Sequence, residues 1–204
     1  SLATCDMCIM KPETCHYHNG TCRQPQWGEQ HCMSDHYVYL ANSSAIKVGI
    51  TRASQIPTRW IDQGASQALA IFRVSNRLLS GKIEVSIKQH VSDRTNWRKM
   101  LKSKPNEVDL YAKREELFVL TEKEIQRITE EYGTANIERL ENGKSLELDY
   151  PVERYPEKIK SLNFDKTAEI SGTLQGIKGQ YLMLENGVLN IRKFAGYKIR
   201  FAYS

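Results

Sequence analysis

The 204-residue sequence predicts an α+β protein on three observations. All five cysteines fall between Cys5 and Cys32. Two alternating apolar runs then flank a short polar turn, the pattern of a half-buried hairpin. Beyond them, apolar residues recur at helical spacing and give way to glycine-punctuated strand-like runs. Four parts follow: a Cys/His-rich segment at 1–35, an α/β core at 36–104, a linker and helix at 105–133, and a β-rich region at 134–204.

Bulk composition narrows the class. Charged residues make up 26% and hydrophobic ones 40%, the balance of a globular domain. No apolar run is long enough to span a bilayer, and none has the form of a secretory signal, so a cytoplasmic chain without membrane attachment is expected. The net charge of +5 fits a nucleic-acid partner without demonstrating one. Oligomeric state is not legible. The chain starts at Ser1, and further residues upstream are expected.

The first segment lacks the apolar periodicity of a core and needs a staple. Cys5-x-x-Cys8 has knuckle spacing, and two thiolates so placed can grip one ion. Cys15, Cys22 and Cys32 can complete a tetrahedral set, with His16, His18 or His31 as substitutes. Thiolates favour zinc over hard ions, and a closed set of four is structural. The odd cysteine count and the absence of a secretory signal argue against a disulfide framework. Iron–sulfur ligation, a redox pair and metal-free thiols are the competing readings.

In the core, His36 to Ala41 and Ala45 to Thr51 alternate around Asn42-Ser-Ser44. Val38, Leu40, Ile46, Val48 and Ile50 share an apolar face. Tyr37, Tyr39, Lys47, Gly49 and Thr51 share the other, which is chemically rich. Pro57 opens a short helix carrying Arg59 and Trp60, and Gly64 ends it. Gln67 to Val74 reads as a third strand. Ser75 to Val91 reads as a helix through Leu79, Ile83 and Ile87, weakened by Gly81. Residues 107–132 give a helix with Leu117, Leu120, Ile125, Ile128 and Tyr132 on one stripe. In the tail, apolar runs flank Glu185-Asn-Gly187, a strong hairpin signal. Gly172, Gly176 and Gly179 imply the bends of a small barrel-like region.

Val38-Tyr39, Lys47-Val48-Gly49 and Arg59, ten residues after the glycine, resemble the GIY-YIG nuclease fold over about a third of the chain. That resemblance implies a three-stranded antiparallel sheet flanked by helices. It also implies site residues at Tyr39, Lys47, Gly49, Arg59, Glu84 and Asn96. Lys47 departs from the usual second tyrosine and matches a Lys-Val-Gly branch of the superfamily. The runs Tyr37 to Ser44, Lys47 to Arg52, Arg59 to Ala65 and Gly176 to Tyr181 are similar to a bacterial family of unknown function over nearly the whole chain. Its members carry a further Cys-rich segment upstream.

Phosphodiester hydrolysis needs an activated water, neutralised phosphate charge and help for the leaving oxygen. Glu84 is the candidate to hold Mg²⁺ or Mn²⁺, and Arg59 to hold phosphate. Tyr39 would orient or deprotonate the water, with Lys47 supplying positive charge or acting as the base. Asn96 would fix a water or the loop. Tyr37, Gly49, Arg52 and Trp60 are the substrate-binding candidates, and Trp97, Arg98 and Lys99 could add phosphate and base contacts. Each residue also has a plainer reading. The tyrosines suit any strand, and Lys47 suits a solvated one. Arg59 can pair with Asp62 and Glu84 with Lys88, while Asn96 can cap a helix at Trp97. The expectation is a metal-dependent nuclease acting on DNA or RNA. The alternatives are a non-cleaving nucleic-acid-binding module on the same core and a protein-interaction scaffold.

Overall fold

A computed structural model of the chain describes residues 6–203. The Cys-rich segment folds as three 3₁₀ turns (Met7–Ile9, Pro12–Thr14, Tyr17–Asn19) and helix α1 (Pro25–His31). Proline opens the second turn and α1, where a missing N–H costs nothing.

Strands β1 (His36–Asn42), β2 (Ile46–Arg52) and β3 (Gln67–Val74) form the core sheet. The expected hairpin is in place: Tyr39 pairs with Gly49 and Ala41 with Lys47. β3 pairs antiparallel on the other side of β1, with a register shift between Val38 and Tyr39. Val38 faces Phe72 and Tyr39 faces Ala70, so Ile71 is the extra residue of a bulge. Both Ile71 and Phe72 thereby join the first core.

Two short strands extend the expected three-stranded sheet. β4 (Ile137–Arg139) and β5 (Leu146–Glu147) both pair antiparallel with β3. Residues expected to start a separate C-terminal region therefore belong to the core sheet. The barrel-like region is instead a three-stranded meander of β6 (Leu174–Lys178), β7 (Tyr181–Leu184) and β8 (Gly187–Asn190). Three short strands are too few to close a barrel.

One face of the core sheet packs on α3 (Arg77–Ile87) and α5 (Leu110–Tyr132). Leu79, Ile83 and Ile87 of α3 are buried there with Val38, Leu40 and Val48. Leu117, Ile125 and Ile128 of α5 join them, whereas Leu120 is exposed. Asn76 caps α3 and Asp109 caps α5 through side-chain oxygens. The other face is covered by α2 (Thr58–Asp62), which lays Trp60 on Tyr39 among Ala41, Ala65 and Ala68. The chemically rich face is therefore also a buried one.

The Cys-rich segment does not stand apart. A methyl group on Gly81 of α3 would lie 2.7 Å from the Pro12 Cβ and would collide with the Glu13 backbone nitrogen. The segment rests directly on this helix. At the far end, α4 (Trp97–Met100) contributes Met100 to a third core with Leu101, Met183 and Val188. Lys178 is buried there and donates to the carbonyls of Met100 and Ser103 at 3.0 and 3.2 Å. Among the described residues no helix is long and apolar enough to cross a membrane.

Candidate active site and cysteine cluster

Register and packing bring Tyr39, Lys47, Gly49, Arg59 and Glu84 into one neighbourhood. Tyr39 is fully buried, and its hydroxyl donates to the Gln63 Oε1 at 2.9 Å. Arg59, one turn earlier on α2, lies within hydrogen-bonding reach of the same phenol oxygen. Burial raises the Tyr39 pKa, and the Arg59 charge opposes the rise. Gly49 is opposite because nothing larger fits: a methyl group there would come within 2.7 Å of the Tyr39 hydroxyl.

Lys47 is 5% exposed. Burial pushes its ammonium down to about 8, with Arg59 adding to the fall while Glu84 and Asp93 oppose it. Glu84 is half-buried, and burial pushes its carboxyl up to about 7. Lys88 opposes that rise, while Asp93 and Glu13 add to it. The Glu84 charge acts on both Tyr39 and Lys47.

Other sequence candidates sit elsewhere. Asn96 caps α4, accepting from the Lys99 N–H at 3.1 Å, the plainer of its two readings. Its own N–H donates to the Ser44 Oγ at 3.0 Å, so it still braces the β1–β2 turn. Trp60 is 5% exposed and packs edge-on against Tyr39 at 5.8 Å. It is a core residue, packed with Ala41, Ala65 and Ala68 and too buried to stack on a base. Arg59 does not pair with Asp62, which instead lies 3.7 Å from Arg192. Tyr37 and Arg52 are half-buried at the open end of the hairpin, where Tyr37 pairs with Thr51. Trp97 stacks on Tyr181 at 5.5 Å with Arg98 over its ring at 4.4 Å.

Two contributors carry no sequence signal. Gln63 follows α2 and gains its role from the way that helix lies over the sheet. Glu13 comes from the Cys-rich segment and acts on Glu84 only because the segment docks on α3.

Cys5 lies outside the described residues. Cys8, Cys15, Cys22 and Cys32 are free thiols that border one cavity of about 30 Å³. Burial raises the Cys8 pKa and pushes Cys32 to about 11, each opposed by the charge of Arg77. The histidines expected as substitutes turn to other partners. His16 Nδ1 lies 2.6 Å from the Thr21 Oγ1, and its Nε2 lies 3.3 Å from Asp6. His31 stacks on Trp27, and His18 is exposed. Among the described residues, no three His, Cys, Asp or Glu side chains stand in a ready-made metal-holding group.

No curated protein and no solved structure matches the chain. A family model does match, over residues 1–199. With that match spanning the Cys-rich segment, the core sheet and the C-terminal meander together, the chain belongs to the family described as protein of unknown function (DUF2797).

Proposed function

We propose that the chain is a divalent-metal-dependent nuclease of the GIY-YIG kind, braced by a structural zinc ion. The observation that supports it most is the neighbourhood of Tyr39, Lys47, Arg59 and Glu84 around the β1–β2 pair. These residues come from four separate elements, yet their charges and hydrogen bonds act on one another.

In this reading Arg59 grips a phosphate oxygen through its fork of donors. Gln63 holds the Tyr39 hydroxyl, which orients the attacking water. Lys47, with its pKa near 8, is neutral in a large fraction at mildly alkaline pH and can take the water's proton. Glu84 would hold Mg²⁺ or Mn²⁺, which supplies charge neutralisation on the phosphate. One carboxylate suits such an ion, because it is commonly held by one or two carboxylates together with waters and substrate phosphates.

For zinc, the donor set fits in kind and number. Four thiols around one small cavity match a closed tetrahedral site. The sulfurs must draw together on metal uptake, since no ready-made group is present among the described residues.

Supercoiled plasmid and structured RNA, each incubated with Mn²⁺ or Mg²⁺, test the nuclease reading. Nicking should occur and fall at least about 100-fold in Arg59→Ala and Glu84→Ala. Purified protein should carry one zinc per chain. The burial of Tyr39 and Lys47 favours a second reading, a non-cleaving nucleic-acid-binding module. That reading gains if no substrate is nicked while binding weakens steeply with salt.

A further inference from the structure

Arg77 stands where the Cys-rich segment meets the core. Its Nη2 donates to the Ile9 carbonyl at 2.8 Å, one residue after Cys8. Its backbone N–H donates to the Cys32 carbonyl at 2.8 Å. One residue thus fastens the turn that presents Cys8 and the position that presents Cys32.

The same side chain borders the thiol cavity. Its Nε is buried and has no hydrogen-bond partner. A buried guanidinium donor without an acceptor is costly, and neutral thiols are poor acceptors. Four thiolates around a divalent ion carry two net negative charges and would accept such a donor well. The Arg77 charge already acts on both Cys8 and Cys32.

We propose that Arg77 is the positioning and charge-compensating residue of a four-thiolate metal site, its Nε–H donating to a metal-bound sulfur. The proposal rests on the zinc reading above. It also gives that site a mechanical link to the core, because Arg77 is the first residue of α3 and Glu84 lies two turns further along the same helix. The competing use of the donor is a water shared with His36, whose Nε2 is likewise buried without a partner and on which the Arg77 charge also acts.

Zinc affinity measured by competition with a colorimetric chelator decides the matter, together with the sulfur-to-cobalt charge-transfer band of Co²⁺-loaded protein. Wild type should bind one ion with a four-thiolate spectrum. Arg77→Gln should weaken zinc binding about 10- to 100-fold, and Arg77→Lys should restore part of the loss by keeping the charge. Amides of α3 should exchange more slowly in zinc-loaded than in zinc-free wild type. Unchanged affinity in Arg77→Gln overturns the proposal while leaving the zinc reading intact. An equal loss in His36→Gln overturns it in favour of the shared water. If Arg77→Gln does not fold, Arg77→Lys decides alone: an intermediate affinity supports the proposal, and wild-type affinity overturns it. Wild type that takes up neither ion sinks the zinc reading and the proposal together.

Discussion

Burial holds the Glu84 carboxyl near 7 and the Lys47 ammonium near 8, within each other's field. Each group is pushed toward its neutral form, as expected where a charge is poorly hydrated. The sign of the stability effect follows for Glu84. Its native pKa lies above its unfolded value, so its contribution is fully present below about 4.5 and is lost as pH rises through about 7. Glu84→Gln carries no such charge. Urea unfolding at about pH 5 and about pH 8 should show the variant gaining on wild type by about 2 kcal/mol across that interval. A constant difference between the two proteins would mean that Glu84 is better solvated than its packing indicates. At this scale the sequence was informative wherever a residue's role came from its own strand. The period-2 alternation placed Tyr39, Lys47 and Gly49 on one face, and they share it. Trp60 misled because an aromatic next to a basic residue reads the same whether it points out or in. Its partners Ala41, Ala65 and Ala68 are scattered along the chain, so the hole it fills was not visible.

Elements behave differently from residues because their fate depends on what packs against them. Gly81 weakens α3 as an isolated helix. In the fold it is the contact point for the Pro12–Thr14 turn, where a methyl group would strike backbone. Gly81→Ala is therefore expected to reverse its usual sign. An exposed helical site would gain up to about 1 kcal/mol, whereas here overpacking should cost about 1 to 3 kcal/mol and loosen the Cys-rich segment. Thermal unfolding and protease cleavage of that segment check it, and a stabilised variant would show that the segment docks less closely. Helices α3 and α5 were legible because their apolar stripes are long and capped. Strands β4 and β5 were not, because three and two residues carry no readable alternation, and their partner β3 lies about sixty to eighty residues upstream. The barrel expectation failed for a related reason. Glycines signalled bends, but bends do not count strands.

Across the whole molecule, each appended region is tied to a helix through a specific contact. The Cys-rich segment holds α3 through Arg77 and Gly81. The C-terminal meander holds the end of α4 through Lys178, a buried ammonium that burial lowers to about 8 and that rests on two carbonyls. The first of these attachments is to the helix that carries Glu84. The function proposed for that site requires a hard cation to be held by Glu84 and to be completed by phosphate oxygens. Mn²⁺ binding followed by electron paramagnetic resonance, with and without a phosphorothioate duplex that resists cleavage, tests this requirement directly. The account predicts that one Mn²⁺ per chain is taken up when the duplex is present, and that this uptake is lost in Glu84→Gln. Uptake that is absent, or that is the same in Glu84→Gln as in wild type, would contradict it.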